Sequence, residues 1–355
     1  MKFTEYTKKY IPKINSTIKS IFDKKLNSVE NSFLKDYYSE LSDYFLSGGK
    51  RIRPLLCIAA YNGFSGINDN KIVLPSVGVE FLHNASLIHD DIIDKDNFRR
   101  GKPAFHYRFR NYHQQYNLKK MLDVDFGNSI GIIGGDTAFI LGLEAHLFSK
   151  FENALKLKAI DYYEQAFIEI VNGVLIETNM VNQKNLAIAD YINMISLKTS
   201  ALIEKSILIG ANYAKVDEKY LKDLSIYGLN LGIIFQIIDD ILGTYGNEKV
   251  TGKPTDGDIR EGKKTCLLIN AWNILEENER IKLENLIEKP NMTSNDVQNV
   301  KDLFNKADVI NSCKYLADSY FQEAKSSLYN LKPVINHSEF EFFESLLNFV
   351  IEREF

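Results

Sequence analysis

Apolar residues along this chain recur every three or four positions rather than alternating, which is the spacing of helices. Residues 1–46 read as two amphipathic helices, interrupted near Asn27–Asn31 and stopped by Gly48-Gly49. Pro54 is suited to open the next helix, which runs to about Tyr61. After the turn residues Asn62, Gly63, Ser65 and Gly66 comes a long apolar helix that ends on acids around Asp90. No proline occurs between Pro103 and Pro254, and that interval reads as consecutive helices. They cover Ser129–Phe148, Asn153–Val171, Ile188–Ala214 and Leu229–Gly243. The stretch from Phe105 to Asn128, mixed aromatic and basic, reads as a loop or irregular helix. From about residue 270 the amphipathic pattern continues, with Ser338 and Glu341 spaced as a capping box. Hairpin dipeptides between alternating apolar runs are not found. The expected fold class is all-α, organised as one domain over residues 1–355.

Composition alters this picture little. The 355 residues are 45% hydrophobic and 25% charged, with a net charge of −4, an ordinary globular mix that does not recommend a nucleic-acid binder. An acidic chain that handles an anion needs local cations or metal ions to overcome its own field. Cys57, Cys266 and Cys313 form neither a zinc spacing nor a disulfide framework, so a reducing cytoplasm is expected. The N-terminus lacks an apolar signal core, and no uncharged run reaches the ~20 residues that span a bilayer.

The chemistry concentrates in E-F-L-H-N-A-S-L-I-H-D-D-I-I-D, Glu80 to Asp94. Glu80, His83, Leu87, Asp90/Asp91 and Asp94 share one helical stripe, so three carboxylates gather where a helix carries partial negative charge. Like charges ~4 Å apart repel by roughly 4 kcal/mol at an effective dielectric near 20. Acid clusters also simply solvate helix ends. Here a second cluster repeats the setting: Asp239 and Asp240 end an apolar helix with similar flanks, a weak internal relation that would let two acidic ends face each other. Oxygen ligands of this kind suit Mg²⁺. Cations are supplied by the Gly48–Arg53 turn, by Lys198 in mid-helix, and by Lys253, Lys263 and Lys264 in the Thr251–Thr265 loop.

Gly48-Gly49-Lys50-Arg51-Ile52-Arg53-Pro54, the Asp90–Asp94 cluster with Arg99–Pro103, Lys198-Thr199, Phe235-Gln236-x-x-Asp239-Asp240 and Gly252-Lys253…Lys263 occur in that order. This succession resembles the trans (all-E) isoprenyl diphosphate synthases, the polyprenyl synthetase family, over nearly the whole chain. The resemblance implies one helical bundle around a central cavity, the isoprenoid synthase type I fold, as a homodimer. It implies that Asp90, Asp91, Asp94, Asp239 and Asp240 form two aspartate-rich motifs, with three Mg²⁺ ions on an allylic diphosphate. Arg99, Lys198, Lys253 and Lys263 would contact that diphosphate. Lys50, Arg53, His83 and Arg100 would hold isopentenyl diphosphate. Carbonyl groups around Lys198, Thr199 and Gln236 would face the developing carbocation, and the departing pyrophosphate would take the proton.

Several positions depart from the family pattern: Gly243 stands where many members have a third aspartate, Val174 and Glu177 where many have glutamine and aspartate, and Asp256 and Gly257 alter a loop that keeps Lys253 and Asp258. Ala85 and Ser86, just before the first motif, are both small where aromatic residues floor the pocket of farnesyl-forming relatives. Twenty carbons or more are therefore expected, with geranylgeranyl diphosphate the leading product and Phe81, Phe139 or Phe167 as deeper stops. Two alternatives stand beside this reading: a class I terpene cyclase, and a subunit that steers chain length in a heteromer.

Overall fold

The computed structural model describes residues 1–67, 70–246 and 255–353. Ten helices lead from the N-terminus: α1 (Phe3–Asn27), α2 (Ser32–Leu46), α3 (Ile52–Ser65), α4 (Val73–Ile93), α5 (Phe105–Gln115), α6 (Asp123–Leu147), α7 (Asn153–Met180), α8 (Ile188–Ile195), α9 (Ala201–Tyr213) and α10 (Leu221–Tyr245). Shorter and longer helices follow at Gly257–Arg260, Cys266–Ile274, Glu277–Ile287, Ser294–Lys306, Val309–Leu331 and His337–Ile351. The all-α fold class expected from periodicity is what the chain adopts. Asn31 accepts from the backbone N–H of Leu34 at 3.2 Å and so caps α2, which explains the interruption between the first two helices. Ser338 lies inside the last helix, which begins at His337, so the cap position falls two residues earlier, at Asn336.

The chain divides into two compact units. The first comprises Met1–Glu164, Ser206–Val216 and Asn336–Phe342, and the second Gln165–Lys205, Asp217–Ile335 and Phe343–Phe355.

In the first unit α4 packs chiefly against α6. The approach is close because α6 carries glycine where α4 and α5 press on it. A Cβ at Gly135 would lie 2.1 Å from Nε2 of His89, and one at Gly134 only 2.3 Å from the Phe105 ring. The interior glycines thus cost helix propensity but permit contact. Phe22, Phe45 and Phe81 form an aromatic cluster with centroids 4.6–5.5 Å apart. Phe81 is therefore committed to α1 and α2.

The stretch from Phe105, read from the sequence as a loop or irregular helix, contains a regular helix, α5. Phe105 and Phe109, one turn apart, are buried and pack against Tyr37. Its aromatic rings serve the core rather than a stacking surface. A small hairpin, Phe98–Arg99 paired with Lys102–Pro103, was also not anticipated. Its turn residues Arg100 and Gly101 both have positive φ, 53° and 71°, the backbone of a tight primed turn.

In the second unit α10 is the central element and lies along Val309–Leu331. By length and composition α6 and α10 could each cross a membrane. α10 is mostly buried along Val309–Leu331, whereas α6 packs one face on α4 and leaves Ile132, Ile133, Ile140 and Leu147 about half exposed.

Arg51 anchors the basic turn. At φ 53° it sends its guanidinium inward, with Nη1 donating to Glu80 at 2.7 Å, Nη2 to the Phe45 carbonyl at 2.6 Å and Nε to Asn15 at 3.0 Å. Removing one partner of such a buried pair leaves the other charge uncompensated. Glu80→Ala is expected to lower unfolding free energy by about 3–5 kcal/mol in urea titrations. Asp23→Ala, which breaks the exposed Lys19–Asp23 pair, should change it by less than about 1 kcal/mol.

Candidate active site

The first unit brings together the acids of α4 and five residues of the basic turn and hairpin. Asp90 and Asp94, about one turn apart at the end of α4, are partly exposed, while Asp91 is buried. Arg99, on the hairpin, donates from Nε to Asp91 Oδ1 at 2.6 Å, and the Tyr44 hydroxyl donates to Oδ2 at 3.2 Å. Burial raises the Asp91 carboxyl to about 6, against the opposing pull of Arg99 and Tyr44. One and two turns back along α4, His83 meets a group of arginines. Burial, then Arg53, Arg100, Arg99 and Arg51, hold His83 well below the usual histidine range. Arg53 is itself buried enough to fall to about 10, with Glu80 opposing the drop. Arg100 donates from Nη1 to the Gly48 carbonyl at 2.8 Å, and its guanidinium covers Gly49, where a Cβ would approach to 3.4 Å. Lys50 is exposed beside them. The cradle around His83 is strongly cationic and separate from the acid tip by about two turns of α4.

The second unit holds the other motif. Asp239 is exposed and lies 3.4 Å from Nη1 of Arg353, whose guanidinium covers the Phe235 ring at 4.9 Å. Asp240 is buried and accepts from the Tyr191 hydroxyl at 2.7 Å and from Gln236 Nε2 at 2.8 Å. Burial, followed by Asp258, raises its carboxyl to about 7, while Gln236 and Tyr191 oppose. Thr199 Oγ1 donates to Gln236 Oε1 at 2.8 Å. Lys198 pairs with Glu177. Lys263 pairs with Glu261 at 2.9 Å, and Lys253 lies outside the described residues.

Lys198 and Thr199 do not belong to a continuous helix as expected. Ser196–Ser200 forms a π turn between α8 and α9, the insertion that often marks a functional segment. Two glycines admit it: a Cβ at Gly173 of α7 would meet the Lys198 backbone nitrogen at 2.4 Å, and one at Gly232 of α10 the Ser200 Cα at 2.4 Å.

The polyprenyl synthetase family model matches residues 35–306. The chain belongs to the polyprenyl synthetase family. The geranylgeranyl diphosphate synthase of Sulfolobus acidocaldarius is 34% identical over 87% of this chain and 92% of that one. The geranylfarnesyl diphosphate synthase of Aeropyrum pernix is 31% identical over 86% and 91%. Among solved structures, a geranylgeranyl pyrophosphate synthase from Corynebacterium glutamicum, complexed with isoprenyl diphosphate and magnesium, superposes with a TM-score of 0.90 over all of both chains at 24% identity. The corresponding synthetase from Pyrococcus horikoshii gives 0.80 over 99% of both at 28%. This polyprenyl synthetase is accordingly a prenyltransferase with the all-α isoprenoid synthase fold.

Several of this synthetase's site residues had no signal in the sequence. Tyr44 and Tyr191 are far along the chain from the acids they bond, and Arg353 is one of many surface-type cations. Asp258, a loop position the sequence retains, approaches Gly243: a Cβ there would lie 3.1 Å from its Oδ2, so this carboxylate stands over the position lacking the third aspartate. Among the described residues no three acidic, His or Cys side chains converge into a ready-made metal centre. The donors still fit Mg²⁺, which is commonly held by one or two carboxylates together with substrate phosphates. Asp91, expected as a ligand, has both oxygens engaged by Arg99 and Tyr44, which leaves Asp90 and Asp94 as the outward acids of that motif.

The depressed His83 has a thermodynamic consequence. Unfolded, it takes up a proton near 6.5; folded, it resists protonation, so acidification favours the unfolded chain. In urea titrations the stability of the wild type relative to His83→Gln should decline steadily between about pH 7 and pH 5. A constant difference would show that His83 titrates alike in both states.

Proposed function

We propose that this enzyme condenses isopentenyl diphosphate with an allylic diphosphate, head to tail, to give geranylgeranyl diphosphate. The observation that carries the reading is the pairing, within one unit, of an acid tip with a distinct arginine–histidine cradle. One supports metal-assisted departure of a diphosphate; the other supports a second diphosphate that must be kept. A terpene cyclase has no use for the cradle, and a steering subunit has no use for two intact aspartate pairs.

In this reading Asp90 and Asp94 of the first unit, and Asp239 of the second, would each offer an outward carboxylate to Mg²⁺. The metal supplies charge neutralisation for the leaving group. In the first unit Arg99 would meet the leaving diphosphate, and Arg53, Arg100, Lys50 and neutral His83 would fix the diphosphate of the acceptor; Lys198, Lys253 and Lys263 are the further cations proposed for the leaving diphosphate. Thr199 and Gln236, locked to each other, set carbonyl dipoles toward the allylic cation as it forms. The acceptor double bond attacks, and the proton is lost to the released diphosphate.

A homodimer is supported by Ile133, Ile140 and Leu147 on α6, spaced by sevens and each about half exposed. The three buried, free cysteines support a reducing compartment such as the cytoplasm.

The structure refines the expectation about product length. At 100° per residue, Ala85 falls on the stripe of α4 that contains Gly78, His89 and Ile92, all pressed against α6. Ser86 lies nearer to Asp90 and is partly exposed. Incubation of the purified protein with Mg²⁺, isopentenyl diphosphate and farnesyl diphosphate should yield a C20 diphosphate, read by chromatography after dephosphorylation. A hydrocarbon product would indicate cyclisation, and no turnover a partner subunit. With dimethylallyl diphosphate as primer, Ser86→Phe should shift the product toward C15. Ala85→Phe should do so while also losing about 1–3 kcal/mol of stability by overpacking α6. Unchanged lengths in both variants would overturn this account of the pocket floor.

A further inference from the structure

Each unit of the enzyme buries one acid of an adjacent pair, and each buried acid meets a tyrosine. Tyr44 donates to Asp91 Oδ2 at 3.2 Å, with Arg99 on Oδ1 at 2.6 Å. Tyr191 donates to Asp240 Oδ2 at 2.7 Å, with Gln236 on Oδ1 at 2.8 Å. In both cases one oxygen is held by a phenol and the other by a nitrogen donor.

The tyrosines are themselves fixed. Tyr44 is buried, and its ring packs against Phe45 and Phe105 with centroids 6.4 and 6.0 Å away. Tyr191 is buried on α8, with the Cys266 thiol in hydrogen-bonding contact. The Gln236 amide is oriented in turn, because Thr199 occupies its oxygen and leaves its N–H groups for Asp240. These carboxylates sit beside Asp90 and Asp239, the outward acids.

We propose that Tyr44 and Tyr191 are positioning residues for metal binding, each pinning an inward carboxylate so that its outward neighbour is presented to a divalent cation. A buried carboxylate oxygen without its phenol partner would turn toward other donors or toward water. Without that anchor the last turn that displays Asp90 or Asp239 loses its fixed orientation. Partners that orient metal-binding acids commonly govern metal affinity by an order of magnitude or more. The inference rests on the diphosphate-transfer reading above.

The test uses the full chain, inorganic pyrophosphate at fixed concentration, and increasing Mg²⁺, with melting temperature as the readout. Wild type, Tyr44→Phe, Tyr191→Phe and a control, Tyr227→Phe, are compared. Tyr227 is also buried, but its hydroxyl donates to the Phe343 carbonyl at 2.7 Å rather than to an acid. The Mg²⁺ concentration giving half the stabilisation should rise about tenfold in Tyr44→Phe and Tyr191→Phe and stay unchanged in Tyr227→Phe. Equal midpoints in all four proteins, with only the metal-free melting temperature lowered, would make the tyrosines merely structural and overturn the proposal. No Mg²⁺-dependent stabilisation of the wild type would overturn the metal reading itself, and this inference with it. Should one phenylalanine variant fail to fold, the other decides by the same criterion.

Discussion

Charge compensation along one face of α4 governs what the first unit can do. Glu80, His83 and Asp91 lie on neighbouring positions of that helix, and arginines meet all three. Arg51 satisfies Glu80, Arg53 and Arg100 bear on His83, and Arg99 satisfies Asp91. The acid at the first position is what allows Arg51 and Arg53 to be buried at all, since an unpaired buried guanidinium would cost several kcal/mol. The result is a graded stripe: a closed ion pair in the core, then a cradle whose arginines outnumber the acids, then outward carboxylates at the tip. Attraction for anions and attraction for cations are thereby kept apart on a single rigid element.

The second unit reaches its polar centre by a different route. A π turn at Ser196–Ser200 interrupts what would otherwise be continuous helix, and α7 and α10 press on it where glycine leaves room. The added residue changes the rotation of everything after it and places Lys198 beside Glu177 and Thr199 beside Gln236. Substitution at Gly173 or Gly232 would force backbone against backbone, and no flexible side chain is there to yield. The glycines are therefore part of the site although they touch no substrate group.

Periodicity and punctuation made most of the helices legible, because an apolar stripe with a cap at one end leaves few alternatives. The π turn was not legible, since Ser-Leu-Lys-Thr-Ser has the same apolar spacing whether its bonds run over four residues or five. The 105–128 region was only partly legible: Phe105, Phe109 and Tyr112 lie at helical spacing, yet the basic residues between them left a loop or an irregular helix open. For the site, the outward acids were visible as motifs, whereas their partners were not. Tyr44 and Tyr191 reach Asp91 and Asp240 across long stretches of chain, and nothing in local spacing encodes such a contact. Gly243 looked like a lost acid in the sequence, but Asp258 covers that position from another segment.

The repeated Asp-Asp dipeptide has a geometric meaning that the two tyrosines complete. Neighbouring residues on a helix point about 100° apart, so two adjacent carboxylates at a helix end cannot both face one ligand. If one turns outward, as Asp90 and Asp239 do, the other is driven toward the bundle, as Asp91 and Asp240 are. Burial then favours the neutral form of that inner acid, which is why both carboxyls are raised. A phenol can donate to either protonation state, unlike a hydrophobic wall, and it brings no charge of its own. At Asp240 the phenol thereby helps keep a second carboxylate beside the outward acid without a counter-cation. At Asp91 the motif differs, because Arg99 adds a cation there, while Asp240 is held by the neutral donors Gln236 and Tyr191.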